Sequence, residues 1–304
     1  MEEYDFIVIG AGSAGLPAAI YAARFRLKTL VIGELIGGTI TTTHIVENWP
    51  GIKEITGWGL AEQLIEHTKS LDVEIVDGKV NDVQKKDGGF IVKTKDKEYK
   101  AKTILFATGT ERRKLKVPGA EEFENKGVSY CAVCDAALFK DKITCVVGGS
   151  DSAAKESLFV ADYAKKVYII YRGDKIHPEP INGERVDAAK NIEILTNKNV
   201  SEIYGSKLVE GVKFKEGGEL KLEGVFIEIG ATPNSELAEK LGVKIDDNKE
   251  IIIDVNSKTN IPGVYAAGDV ANRHFKQAIT GASEGVVAAF SSYEYINNVL
   301  LKNN

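Results

Sequence analysis

Three cysteines in 304 residues are too few for the disulfide framework of a small secreted domain, and two of them, Cys131 and Cys134, stand only two residues apart. Long apolar runs are missing as well. Stretches such as Ile143 to Val147 fall far short of the roughly 20 residues that a membrane-spanning helix needs, so no membrane crossing is expected. Nor is there a basic excess. Thirty-nine Lys and Arg against 44 Asp and Glu give a net charge of -5, which argues against nucleic acid as a partner. The chain opens Met1-Glu2-Glu3 and enters an apolar run at Phe6 to Ile9 with no basic region, long apolar stretch or cleavage motif, so cytoplasmic residence is the expectation. What remains is an ordinary globular composition, 43% hydrophobic and 27% charged, in a chain about twice the ~150 residues of one domain.

The most informative feature present is an internal repeat. Asp5 to Gly15 aligns with Ile143 to Ala153, placing Gly10 on Gly148. Each copy is a buried-strand run, a glycine turn, a stretch with helical spacing of small and apolar residues, and a second strand run, Thr29 to Ile32 in one and Val167 to Tyr171 in the other. That succession predicts two related α/β units of dinucleotide-binding type. In the first copy Gly10, Gly12 and Gly15, with Ser13 and Ala14 between them, match G-x-G-x-x-G. Gly10 permits the tight turn, Gly12 the approach of a pyrophosphate, and Gly15 close packing of helix on strand, while Glu34 follows the second strand where it can accept hydrogen bonds from a ribose. The second copy is altered. Gly148 is kept, Ser150 replaces a glycine, Asp151 and Ser152 follow, Ala153 fills the third place, and Arg172 stands opposite Glu34, which fits a phosphorylated dinucleotide or a vestigial site that binds none.

Between the copies, Val80 to Val83, Phe90 to Lys93 and Thr103 to Ala107 read as strands, the last ending in the small-residue turn Ala107-Thr108-Gly109. Charged residues from Glu111 to Lys116 with Pro118-Gly119, and later Gly230 to Asn234, read as linkers. Beyond them come strand runs at Ile251 to Val255 and before Gly268-Asp269, and a helix over Gln277 to Tyr295. A domain built from both chain ends, with a second domain inserted in its middle, is the simplest organisation.

Cys131-Ala132-Val133-Cys134 leads into Asp135 and a helical-looking Ala136 to Phe139. Two residues between cysteines at a helix start bring the sulfurs within disulfide reach, and the helix end favours thiolate, which dithiol exchange requires. Asp135 can shuttle a proton to or from a leaving thiolate. Zinc is the rival for such a pair, but only Cys145 and the scattered His44, His67, His177 and His274 remain as further ligands. Cys145, in an apolar strand run, reads as a core residue.

Together these residues resemble the low-molecular-weight thioredoxin reductases, and the likeness runs from about Tyr4 to the last helix. It is carried by Gly10 to Gly15, Gly37-Gly38 with Thr41 to Thr43, Val46 to Gly51, Ala107 to Gly109, Cys131 to Asp135, Ala267 to Asp269, and Lys276 to Thr280. The resemblance implies two Rossmann-like domains of three-layer β/β/α character: an FAD-binding domain in two segments, 1–112 and 235–304, around an NAD(P)H-type domain, 113–234, that carries the dithiol. It implies a homodimer with non-covalent FAD. On it, Gly38, Thr43, Asn48, Val80, Thr108, Gly109, Gly268, Asp269, Gln277 and Ala278 join the first glycine turn around the flavin, and Gly148, Ser150, Asp151, Ser152 and Arg172 meet the nicotinamide dinucleotide. Electrons would pass from NADPH or NADH through FAD to Cys131 and Cys134. Cys134 would be the sulfur nearer the flavin, Cys131 the one that attacks a thioredoxin-like or glutaredoxin-like partner, and Asp135 the acid. Rotation of one domain on two linkers would let the dithiol face flavin and partner in turn.

Departures cluster in the second copy. The family usually carries glycine at position 150 and a histidine with three arginines where this chain has Tyr171-Arg172-Gly173 and His177; Thr39 also replaces a usual glutamine. The losses keep other donors open, a deazaflavin or ferredoxin, as well as a dithiol oxidase running in reverse or a non-catalytic redox sensor.

Overall fold

In the computed structural model, which describes residues 1–86 and 88–300, the run Asp5 to Ile9 ends strand β1 (Glu2–Ile9), and helix α1 (Gly15–Arg24) and strand β2 (Thr29–Gly33) follow. Strands β1 and β2 pair in parallel, and β1 also pairs in parallel with Glu98–Phe106. Both faces of this sheet are covered, which is why its strands read as unbroken apolar runs. Phe6 and Val8 point to a core shared with Leu16, Ala18, Ala19, Ala288 and Ala289, while Ile7 and Ile9 point to a second core containing Phe90, Val92, Ile104, Val264 and Ile251.

Strand Glu98–Phe106 serves two partners along its length. Its first half pairs antiparallel with Gly89–Thr94, which continues to Val80–Lys86, and its second half pairs in parallel with Val264–Ala266. A parallel sheet and an antiparallel β layer therefore grow from one strand.

The chain divides into two compact units, Met1–Glu111 with Thr232–Asn304, and Arg112–Ala231. The second unit repeats the first unit's plan. Its five-stranded parallel sheet runs in the order Val128–Ser129, Gly224–Ile227, Ile143–Val147, Lys166–Ile170, Ile192–Leu195, with helix Asp151–Ala161 joining the third and fourth of these. Cys145 is fully buried in its core, and burial pushes its thiol pKa far up. No helix among the described residues is long and apolar enough to cross a membrane.

The strand expected over Ile251 to Val255 does not form. Ile251 and Ile253 are buried and Ile252 exposed, as a strand would have it, but successive N–H groups turn to different partners: Val270 O, Lys244 O and the Asn272 side chain. Among the described residues Ile251 makes only isolated bridges, to Ile245 and Ala271, and no ladder extends from them. The segment Ala136–Phe139 is a 3-10 turn.

Helix α1 packs on the long last helix, Ala278–Tyr295, at a point where neither helix carries bulk. A Cβ on Gly285 would run into the Ala14 carbonyl oxygen. Gly285→Ala should therefore spread the two helices and lower stability by about 1–3 kcal/mol, read as a reduced midpoint in urea unfolding.

Candidate functional site

The first glycine turn is built by main-chain contact. A Cβ on Gly10 would enter the Ala107 carbonyl, and one on Gly15 would enter the carbonyl of Gly10, so strand, turn and helix close on each other with no room for side chains. Gly38, at φ +73°, lays its backbone against Gly12, where a Cβ would meet Gly12 Cα at 2.5 Å. Ala14 is the N-cap of α1, and no side chain caps the helix, so the donors at its N-terminus stay open to a ligand near Gly12 and Ser13. From the other chain end, Gly268 and Gly281 bring their backbones to Ala14 and to each other. These small residues form a bare cradle. Glu34 is exposed after β2 and is paired with Lys79 at 3.2 Å.

Around that cradle the expected residues take different positions. Asn48 Nδ2 donates to Gln277 Oε1 at 3.1 Å, which joins residues far apart in sequence; Gln277 also caps the last helix in a reciprocal box with Thr280, and Ala278 opens that helix. Thr43 is half-buried at the end of the turn Thr39–Thr42. Val80 is buried in the core, so its main chain is what it can offer a ligand. The Thr108 hydroxyl donates to Asn234 O at 2.7 Å, and Asn234 bonds back to Thr108 O and Gly109 O, which fixes the turn after Glu98–Phe106. Asp269 reaches solvent, yet the protein around its carboxyl raises its pKa by desolvation, with Lys276 opposing and Glu250 assisting. Among the described residues no protein donor bonds that carboxylate. It is an acceptor left unengaged in the turn that follows Gly268.

Glu284 is a residue the sequence reading missed. From the last helix it accepts the Gly268 N–H at 2.8 Å and pairs with Arg273 at 3.3 Å, holding the turn that carries Asp269; burial raises its own pKa against both of those contacts. A lone acid on a small-residue helix face was the only available signal. Asn234 was visible only as part of a linker.

In the second unit, Gly148 makes the same main-chain approach, to Glu228 O, and Ser150 and Ser152 are exposed at the start of helix Asp151–Ala161. The surroundings differ. The Tyr171 ring lies where a Cβ on Gly149 would stand, Tyr171 Oη is 3.2 Å from His177 Nε2, and the His177 N–H donates to Gly149 O at 2.7 Å. Asp151 is engaged by the chain itself: its carboxylate accepts from Glu179 N, Asn182 Nδ2 and Lys155 at 2.8–2.9 Å. Desolvation raises its pKa, but these donors outweigh it, and the net shift is downward. Arg172 is exposed.

Cys131 and Cys134 form a disulfide with Cα atoms 5.4 Å apart. Cys131 precedes the short helix Ala132–Asp135, so Asp135 folds back beside the pair. The Ser129 hydroxyl donates to Asp135 Oδ2 at 2.6 Å and accepts the Cys131 N–H at 3.0 Å. Cys134 is exposed, whereas Cys131 and Asp135 are half-buried.

Two glycine-turn units, one of them carrying a disulfide with an acid beside it, define a dinucleotide-linked thiol–disulfide oxidoreductase. The chain belongs to the pyridine nucleotide-disulphide oxidoreductase family, whose profile matches residues 4–285. It is 39% identical over 306 residues to a thioredoxin reductase of Bacillus subtilis, covering 97% of this chain and 96% of that one. A thioredoxin reductase of Lactococcus lactis in its FR conformation superposes with a TM-score of 0.94 at 36% identity, over 97% of this chain and 100% of that one. A ferredoxin-flavin thioredoxin reductase of Clostridium acetobutylicum gives 0.54 at 33% identity, over 98% and 99%.

Asp151 supplies a pH test. Its carboxyl pKa is lower folded than unfolded, so its stabilising contribution is present above the ordinary Asp value of about 3.9 and fades as pH falls through the folded value. Asp151→Asn should lose about 1 kcal/mol at neutral pH and converge on the unsubstituted protein in acid, measured by urea unfolding across pH.

Proposed function

We propose that this chain is a cytoplasmic, flavin-dependent thioredoxin reductase, and the observation that carries the proposal is the Cys131–Cys134 disulfide with Asp135 beside it in a member of this family. FAD fits the first unit. Gly10, Gly12, Ser13, Ala14, Gly15 and Gly38 leave bare main chain for a pyrophosphate, Glu34 for the adenosine ribose, and Asp269 an unpaired acceptor for the ribitol. Asn48, Thr43, Gln277 and Ala278 would flank the ring, and Val80, Thr108, Gly109 and Gly268 would contribute main chain. When bound, FAD supplies two-electron chemistry between a reduced donor and a disulfide.

The dithiol chemistry belongs to the chain's own residues. With the pair reduced, the Cys131 thiolate attacks a disulfide sulfur of the partner, a mixed disulfide forms, and the partner's released thiolate takes a proton from Asp135. Cys134 then attacks the Cys131 sulfur, the intramolecular disulfide closes, and the second partner sulfur leaves as a thiol or thiolate. A thioredoxin-like protein is the expected partner, given the named relatives. Cys134 is the more exposed residue in this structure, so the attack by Cys131 requires the dithiol to change its surroundings. A homodimer is supported by an aromatic stripe at the end of α1 and on the last helix: exposed Tyr21, Phe290 and Tyr293 surround half-buried Phe25 with ring centroids 5.1–6.2 Å from it.

For the donor, Gly148, Ser150, Ser152 and Arg172 support a reduced nicotinamide, NADPH or NADH, in the second unit. A second reading is favoured by the Tyr171 ring over Gly149 and by the engagement of Asp151: the same dithiol chemistry fed by a ferredoxin or deazaflavin. The name of the Clostridium acetobutylicum relative supports it.

Two measurements test these assignments. Anaerobic flavin absorption should bleach rapidly on adding NADPH or NADH. No bleaching by either, with dithionite reducing the same sample normally, would select the second reading. Cys134→Ser should abolish turnover and accumulate a mixed disulfide through Cys131, identified by mass spectrometry; accumulation in Cys131→Ser instead would reverse the two roles.

A further inference from the structure

Ser129 is one of the few polar residues buried in the second unit, at 5% exposure, and it ends the short strand Val128–Ser129. That strand pairs with Val225 and Phe226 at the edge of the parallel sheet, so the position of the hydroxyl is fixed by the sheet and not by the mobile geometry of a surface turn. A hydroxyl has one proton and two acceptor sites. At Ser129 the oxygen accepts the Cys131 N–H at 3.0 Å, and the proton has two candidate acceptors, Asp135 Oδ2 at 2.6 Å and Cys131 O at 3.3 Å. The shorter contact, to a carboxylate, is the stronger. One buried oxygen thereby ties the main chain of the first cysteine to the side chain of the neighbouring acid.

We propose that Ser129 is the positioning residue for proton transfer at the dithiol: it occupies Oδ2 of Asp135 and leaves Oδ1 to carry the proton that moves to the departing thiolate. The proposal rests on Asp135 being the acid. During the exchange the proton leaves Oδ1 and arrives on the partner's sulfur, the carboxylate left behind keeps the Ser129 hydrogen bond, and no bond to Ser129 itself forms or breaks. Because the same oxygen holds the Cys131 N–H, the carboxyl and the attacking cysteine keep their spacing through successive cycles.

The test uses the full-length, flavin-loaded protein with its cysteine pair reduced. The rate of reduction of a small aromatic disulfide is followed against pH, together with the alkylation rate of the cysteines by iodoacetamide. Ser129→Ala should slow disulfide reduction by about tenfold at neutral pH and displace the pH profile. In an Asp135→Asn background the same substitution should have no further effect, since its path of action is already gone. Ser129→Thr and Ser129→Val, matched in size, keep the comparison available should alanine disturb folding: Thr should retain most of the rate and Val should behave like Ala. Equal rates for Thr and Val, or an undiminished effect of Ser129→Ala in the Asp135→Asn background, would overturn the proposal. An Asp135→Asn protein with unchanged rate and pH profile would instead remove the acid on which it rests.

Discussion

The constraint on which the first unit depends is the contact of main chain with main chain at the end of β1. Gly10 against Ala107, Gly15 against Gly10, and Gly38 against Gly12 leave no volume for a Cβ, and the last helix extends the same rule through Gly285 against Ala14. A methyl group at one of these points would move a whole element, because protein interiors absorb added volume poorly. This closeness places the uncapped start of α1, the turn after Glu98–Phe106 and the Gly268-Asp269 turn around one small region. A site for a large anionic cofactor follows from the absence of side chains more than from the presence of any particular one.

The second unit keeps the skeleton and changes the surface. Gly148 retains its approach to Glu228, so strand, turn and helix are arranged as in the first unit, but the groups beyond the turn are engaged with one another. Tyr171 and His177 share a polar contact, His177 is bonded to Gly149, and Asp151 holds the segment at Glu179 and Asn182. Each contact adds local stability, and each engages a group that the proposed function would assign to an incoming dinucleotide. On the proposed function, the balance between these contacts and those a nucleotide would offer would set the donor preference.

Much of this was legible in the sequence because the relevant physics is local. Glycine turns, buried parallel strands and the cysteine pair depend on neighbours within a few residues, and the strands Thr29–Gly33, Ile143–Val147 and Lys166–Ile170 lie within a residue or so of where the pattern put them. Ile251 to Val255 had the alternation of a strand but, among the described residues, no partner strand beyond isolated bridges at Ile251, which one-dimensional pattern cannot reveal. Glu284 and Asn234 act across long stretches of chain, on Gly268 and Thr108, and nothing adjacent to them announces it. Asp151 was expected among the nucleotide ligands on the family resemblance; of the donors that engage it, Lys155 is one turn away, while residues 179 and 182 lie on the far side of the second strand.

The dithiol obeys a different rule from the cofactor cradle. The cradle is assembled from both ends of the chain, so its geometry requires the whole first unit to be folded. The disulfide, its acid and the hydroxyl between them lie within the seven residues Ser129 to Asp135, anchored by a strand edge. A redox pair whose hydrogen bonds are satisfied within its own segment keeps its internal geometry whatever it faces. If the dithiol serves an electron donor and a protein partner in turn, as the proposed function has it, it needs that independence, since a proton donor borrowed from either surface would be present for only half of the cycle.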